Sequence, residues 1–181
     1  MEGENKARRG GCDLLLRLLA FALTLVSAIL LGVDKQTKIV PIQIVSSLPP
    51  LHVPVTAKWQ YQSAFVYLMV ANIIASSYAV LSLLLSFTSM GGNNILELAI
   101  FVGDSLMVAL LFSGSGASAA IGLVAYEGNS RVQWQKVCNV FGSFCAKVAA
   151  SVLISMLGGV AFMLLVLYSG LRLHKRSSRT K

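Results

Sequence analysis

The sequence predicts an all-α membrane protein, an antiparallel bundle of four transmembrane helices, and three observations carry that prediction. Hydrophobic residues make up 56% of the 181 positions and charged residues only 12%, whereas soluble globular chains carry roughly 25% charged residues. The apolar residues gather into runs at 14–33, 63–87, 98–124 and 148–171, each close to the roughly 20 residues a helix needs to cross a bilayer. The charges lie almost wholly between these runs, as they must when lipid is the solvent.

Residues 1–13 form a polar tail with Lys6, Arg8 and Arg9 ahead of the first run. Val26-Ser27-Ala28 resembles a signal-peptide cleavage site, but a signal core has only about 7 to 15 apolar residues and this run is longer and contains Arg17. A retained anchor is therefore expected. Cys12 is either an acylation site at the head of that helix or an unmodified thiol. The loop 34–62 holds Pro41, Pro49, Pro50 and Pro54. Because proline removes backbone donors, that loop is expected to be extended or turn-rich. Trp59, Tyr61 and Tyr67 then stand where an aromatic belt meets the headgroups.

The connection 88–97 is short and glycine-rich, as a tight turn between antiparallel helices requires. A second long loop, 125–147, precedes the last helix, and a basic tail, 174–181, closes the chain. The two ends carry Lys6, Arg8, Arg9, Arg172, Lys175, Arg176, Arg179 and Lys181 against Lys35, Lys38, Lys58, Arg131 and Lys136 in the long loops, which places the ends in the cytoplasm. The net charge of +8 is thus read as affinity for anionic headgroups, and nucleic acid is not an expected partner.

Asp104 is the chemical outlier, a carboxylate inside the third run. An ionisable group at that depth costs at least about 2.5 kcal/mol unless it finds a partner or water. Arg17 is the matching outlier in the first run. Measured from Asp13 and Glu97, the two differ in depth by about 4 to 5 Å at 1.5 Å per residue, within reach of an arginine side chain. An intramembrane ion pair is expected, with snorkelling of Arg17 and an ion or proton site at Asp104 as the alternatives.

Small residues recur at four-residue spacing: Ala20, Thr24, Ala28 and Gly32 in the first helix, Gly114, Ser118 and Gly122 in the third, Ser151, Ser155 and Gly159 in the fourth. Such rows let helices approach closely in lipid, either inside one bundle or between copies. Asn72, Ser76 and Ser77 in the second helix suit hydrogen bonds across an interface.

His52 and His174 fall on opposite expected sides and cannot share a metal; no metal, cofactor or catalytic constellation is read from the chain. Cys138 and Cys145 share the second loop, where a disulfide is the preferred reading and free thiols the alternative. On a continuous helix a spacing of seven sets the Cα atoms about 10.5 Å apart, so a bridge requires the segment to turn.

Arg17 in LLLRLLAFALTLVSAILLGVDKQT, Asp104 in FVGDSLMVALL, and a loop with Gly128, Trp134, Cys138, Phe144 and Cys145 together resemble the Casparian strip membrane domain protein-like (CASP-like) family of plants. The likeness covers essentially the whole chain. It implies a plasma-membrane, MARVEL-related protein with four spans and cytoplasmic ends, without known catalysis, that assembles into homo- and hetero-oligomers. Strip-forming members build a membrane scaffold and diffusion barrier and recruit wall-modifying enzymes, so partners on the cell-wall side are implied. The first loop, VPIQIVSSLPPLHVPVTAKWQ, departs from the aromatic- and acid-containing signature of strip-forming members. The expected function is that of a non-enzymatic membrane organiser; a small ion channel or carrier using Asp104 is the competing reading.

Overall fold

The computed structural model describes residues 2–42, 51–88, 94–128 and 136–177. Its long elements are α1 (Glu2–Gly32), α2 (Ser63–Thr88), α3 (Asn94–Glu127) and α4 (Gly142–Ser177), each containing a stretch long and apolar enough to cross a membrane. The polar tail read at 1–13 continues α1 as helix from Glu2, and α4 likewise runs on to Ser177. Glu97 lies in the first turn of α3, where the helix dipole favours an acid.

In the ring of helices, α1 packs on α2 and α4, and α3 packs on the same two. The pair α1 and α3 therefore face each other across the diagonal. Hydrophobic burial does not drive helices together in lipid, so packing and hydrogen bonds must set the arrangement. Two apolar clusters form the interior. Toward the start of α1 lie Ala20, Ala75, Ala79, Met107, Leu111 and Phe162; toward its end lie Leu31, Phe65, Leu68, Phe144 and Val152. Between them runs a polar layer. Ser27 Oγ donates to the Ser151 carbonyl at 2.9 Å, Ser151 Oγ to the Ser27 carbonyl at 3.0 Å, and Asn72 Nδ2 to Ser155 Oγ at 3.1 Å. Ser76 and Ser77 instead return their hydroxyls to Ile73 O on their own helix.

The small-residue rows divide. Ala20, Thr24, Ala28, Gly114, Ser118, Ser151, Ser155 and Gly159 are buried inside the bundle. Gly32 is exposed, yet a Cβ there would meet Met69 Cε at 3.0 Å. Gly122 is a correction to its row: a Cβ at this position meets nothing within 4 Å, so it supports no helix contact.

The first loop is more regular than its prolines suggest. Lys35–Ile42 (β1) and Leu51–Lys58 (β2) form an antiparallel ladder in which Pro54 faces Ile39 and Pro41 faces His52. In a two-stranded ribbon each strand has a free edge, so proline can point its missing donor outward. The structural prediction from this packing concerns Gly159, where a Cβ would already lie 3.2 Å from the Phe112 ring. Gly159→Leu is expected to cost about 1–3 kcal/mol by overpacking, read as a lower thermal midpoint of the detergent-solubilised protein.

Candidate functional site: an intramembrane ion pair and a clamped loop

Arg17 sits on α1 one turn after Asp13, and its side chain crosses the diagonal to α3. Nη1 and Nη2 donate to Asp104 Oδ1 and Oδ2, both at 3.3 Å, while Nε donates to Asp13 Oδ2 at 3.1 Å. Nη1 also donates to Ser82 Oγ of α2 at 2.9 Å. Residue exposure is 2% for Arg17 and 0% for Asp104, so this charge pair is closed off from the surroundings of the bundle. The planar guanidinium suits the task because its forked donors meet both carboxylate oxygens at once, a geometry that an ammonium lacks.

Neighbouring side chains wall the pair in. Tyr78 packs beside Asp104, donates its hydroxyl to Ile100 O at 2.9 Å and lies against Phe162 of α4 with ring centroids 6.2 Å apart. Gly103 makes room for it, since a Cβ there would fall 2.5 Å from the Tyr78 hydroxyl oxygen. Asp13, Ser82, Tyr78 and Gly103 were not singled out from the sequence as members of this site. Their signal is weak by nature, because Ser, Tyr and Gly are ordinary in membrane helices and Asp13 marks a helix boundary equally well.

At the other end of the bundle the loops are tied down. Cys138 and Cys145 form a disulfide with Cα atoms 5.7 Å apart. The segment turns, as the bridge requires: a 3₁₀ turn at Val137–Asn139 ends before α4 starts at Gly142. The Phe144 amide donates to Gln36 Oε1 of β1 at 3.0 Å, and Trp59 Nε1 donates to Gly32 O of α1 at 3.3 Å. Gly128 has φ 75° and its N–H donates to Val124 O at 2.9 Å, the left-handed cap that ends α3. Trp134, also read as part of the loop motif, lies outside the described residues.

Asp34, just beyond the α1 span, is 1% exposed, and among the described residues neither carboxylate oxygen accepts a well-directed hydrogen bond. Lys147 Nζ stands 3.5 Å from Oδ1. Burial pushes the Asp34 carboxyl above its ordinary range, with Lys147 opposing. Among the described residues no cluster of His, Cys, Asp and Glu can hold a metal ion. The fixed partners at Arg17 and Asp104 leave the arrangement suited to holding helices in register.

These features define a four-span membrane protein with a buried ion pair near one end and a disulfide-clamped loop at the other. Residues 6–161 match the Casparian strip membrane protein domain. The chain is 60% identical to CASP-like protein 1E2 of Glycine max over 93% of its own length and 90% of that protein's. It is 62% identical to CASP-like protein 1E2 of Vitis vinifera (91% and 84%), and 50% identical to CASP-like protein 1E1 of Arabidopsis thaliana (91% and 87%). The chain belongs to the CASP-like family of plant membrane proteins. No solved structure matches it significantly.

Arg17→Leu is expected to destabilise the bundle by about 3–5 kcal/mol because it strands a buried carboxylate. The double variant Arg17→Leu/Asp104→Leu should lose less than that single one, in equilibrium unfolding in mixed micelles. A second expectation concerns pH. The folded Asp34 carboxyl keeps its proton to higher pH than the unfolded chain, whose value is near 3.8. Its contribution to stability is therefore whole below that value and is lost as pH rises through the folded pKa. Asp34→Asn should flatten the decline in thermal midpoint between acid and neutral pH; parallel wild-type and variant profiles would refute it.

Proposed function

We propose that the protein is a non-enzymatic organiser of the plasma membrane. It oligomerises with its own and related chains and presents its two long loops to the cell wall, with both tails in the cytoplasm. One observation carries this reading: both Asp104 oxygens are taken by Arg17 in a fully enclosed setting. A carboxylate committed in this way serves to hold helices together, whereas an ion-conducting or carrier role would need it vacant.

The orientation has two supports. The ends carry eight Lys and Arg, namely Lys6, Arg8, Arg9, Arg172, Lys175, Arg176, Arg179 and Lys181, against six in or beside the loops once Lys147 is counted with them. The disulfide belongs in an oxidising compartment, which fits a wall-facing second loop. Oligomerisation and wall-side partners are proposed on the likeness to the family, and the exposed apolar faces of α1, α2, α3 and α4 offer lipid and sister chains ample surface.

Liposomes reconstituted with the purified protein should show no ion flux above empty vesicles. Arg17→Leu and Asp104→Asn should lower membrane yield or oligomer size, read by surface labelling and by native gel. Ion flux that Asp104→Asn abolishes, or normal delivery and normal oligomer size in both variants, would overturn the proposal.

A further inference from the structure

A cleft of about 570 Å³ opens where the start of α2 meets the loop-side halves of α3 and α4. Its walls are apolar, built from Phe65, Ile121, Val148 and Val152, and Gly122 lies along it with open space where a Cβ would stand. Leu123 and Leu153 on its flanks are 58% and 62% exposed, so the cleft opens sideways into the bilayer. Lys58 and Tyr61 stand at its mouth, with the ammonium 6.0 Å from the ring centroid, and among the described residues Lys58 has no carboxylate partner.

The geometry points to a binding site for one anionic glycerophospholipid, its acyl chain in the cleft and its phosphate at Lys58. Its volume falls among small-ligand sites of about 300–1,000 Å³, and its apolar walls suit an acyl chain. Charge selects the headgroup. The mouth lies at the loop end of the spans, where headgroups sit, and Lys58, which meets no carboxylate among the described residues, complements a phosphate there. A sterol offers only a hydroxyl at that level and makes no use of the ammonium.

The test uses the full chain, incubated with vesicles of phosphatidylcholine alone or mixed with phosphatidylglycerol or with sitosterol, extracted into detergent and read by native mass spectrometry. Wild type should retain phosphatidylglycerol above phosphatidylcholine. Gly122→Phe should fill the cleft and cut retention by about tenfold, the factor that displacing roughly two buried methylenes already brings. Gly116→Phe is the control, since that glycine is exposed on the same helix and a Cβ there meets nothing within 4 Å. It should retain lipid as wild type does. Lys58→Gln should erase the preference for phosphatidylglycerol while leaving an acyl lipid bound.

Equal retention in both phenylalanine variants overturns the site, because the lipid is then only annular. So does sitosterol retained in place of phospholipid, or a changed oligomer size in Gly122→Phe with lipid unchanged, which would assign the cleft to a second copy. Should Gly122→Phe fail to accumulate, Gly122→Leu provides the same comparison with a smaller side chain.

Discussion

An ionised group in lipid must carry its solvation with it, and the bundle is arranged around that constraint. Arg17 replaces its water shell with Asp13, Ser82 and Asp104, drawn from its own helix and from two others. Interhelical polar contacts in membranes average only about 0.6 kcal/mol each, so their value here lies less in summed energy than in geometry. A bidentate contact is satisfied at one rotation and one height of the helices, and a slip by one residue breaks it. Removing one member of the set leaves the others buried without compensation, which is far more costly than never having buried them.

Along α1 the same face is used turn after turn. Arg17, Ala20, Thr24, Ser27, Leu31 and Asp34 are all buried, at helical spacings of three and four. The chemistry alternates: a charged contact, an apolar cluster, the Ser27–Ser151 exchange, a second apolar cluster, then the Asp34–Lys147 pair at the loop end. Apolar layers alone would slide past one another, because lipid tails are as apolar as leucine. The interleaved polar contacts discriminate between registers, and the small residues beside them allow the backbones to come near enough for short hydroxyl side chains to reach.

What the sequence made legible follows from how rare a signal is in lipid. Arg17 and Asp104 stood out because a charge inside an apolar run has few explanations, and a depth difference within the reach of an arginine side chain on parallel helices made them natural mates. Ser82, Tyr78 and Gly103 could not stand out, since each is commonplace in a membrane helix and acquires its role only when a neighbour is known. Gly122 shows the reverse error. Its spacing matches a packing row, but periodicity reports which side of a helix a residue occupies and says nothing of whether another element arrives there. The β1–β2 ladder was hidden for a related reason: prolines that would break an interior strand are harmless where every strand is an edge.

The two ends of the bundle are therefore held by different means, and the difference has a physical basis. Near the start of α1, where Arg17 lies within lipid, strong fixed electrostatics are available because little water competes. At the loop end water and headgroups weaken ion pairs, and there the chain relies on covalent and backbone links: the Cys138–Cys145 bridge, the Gly128 cap, the Phe144 amide on Gln36 and the Trp59 indole on Gly32. These links tie the hairpin to α1 and to the start of α4. Cys138 and Cys145 are themselves among the residues lining the cleft, so a lipid seated there would meet a wall held by a covalent bond, at the end of the bundle where ion pairs are weakest.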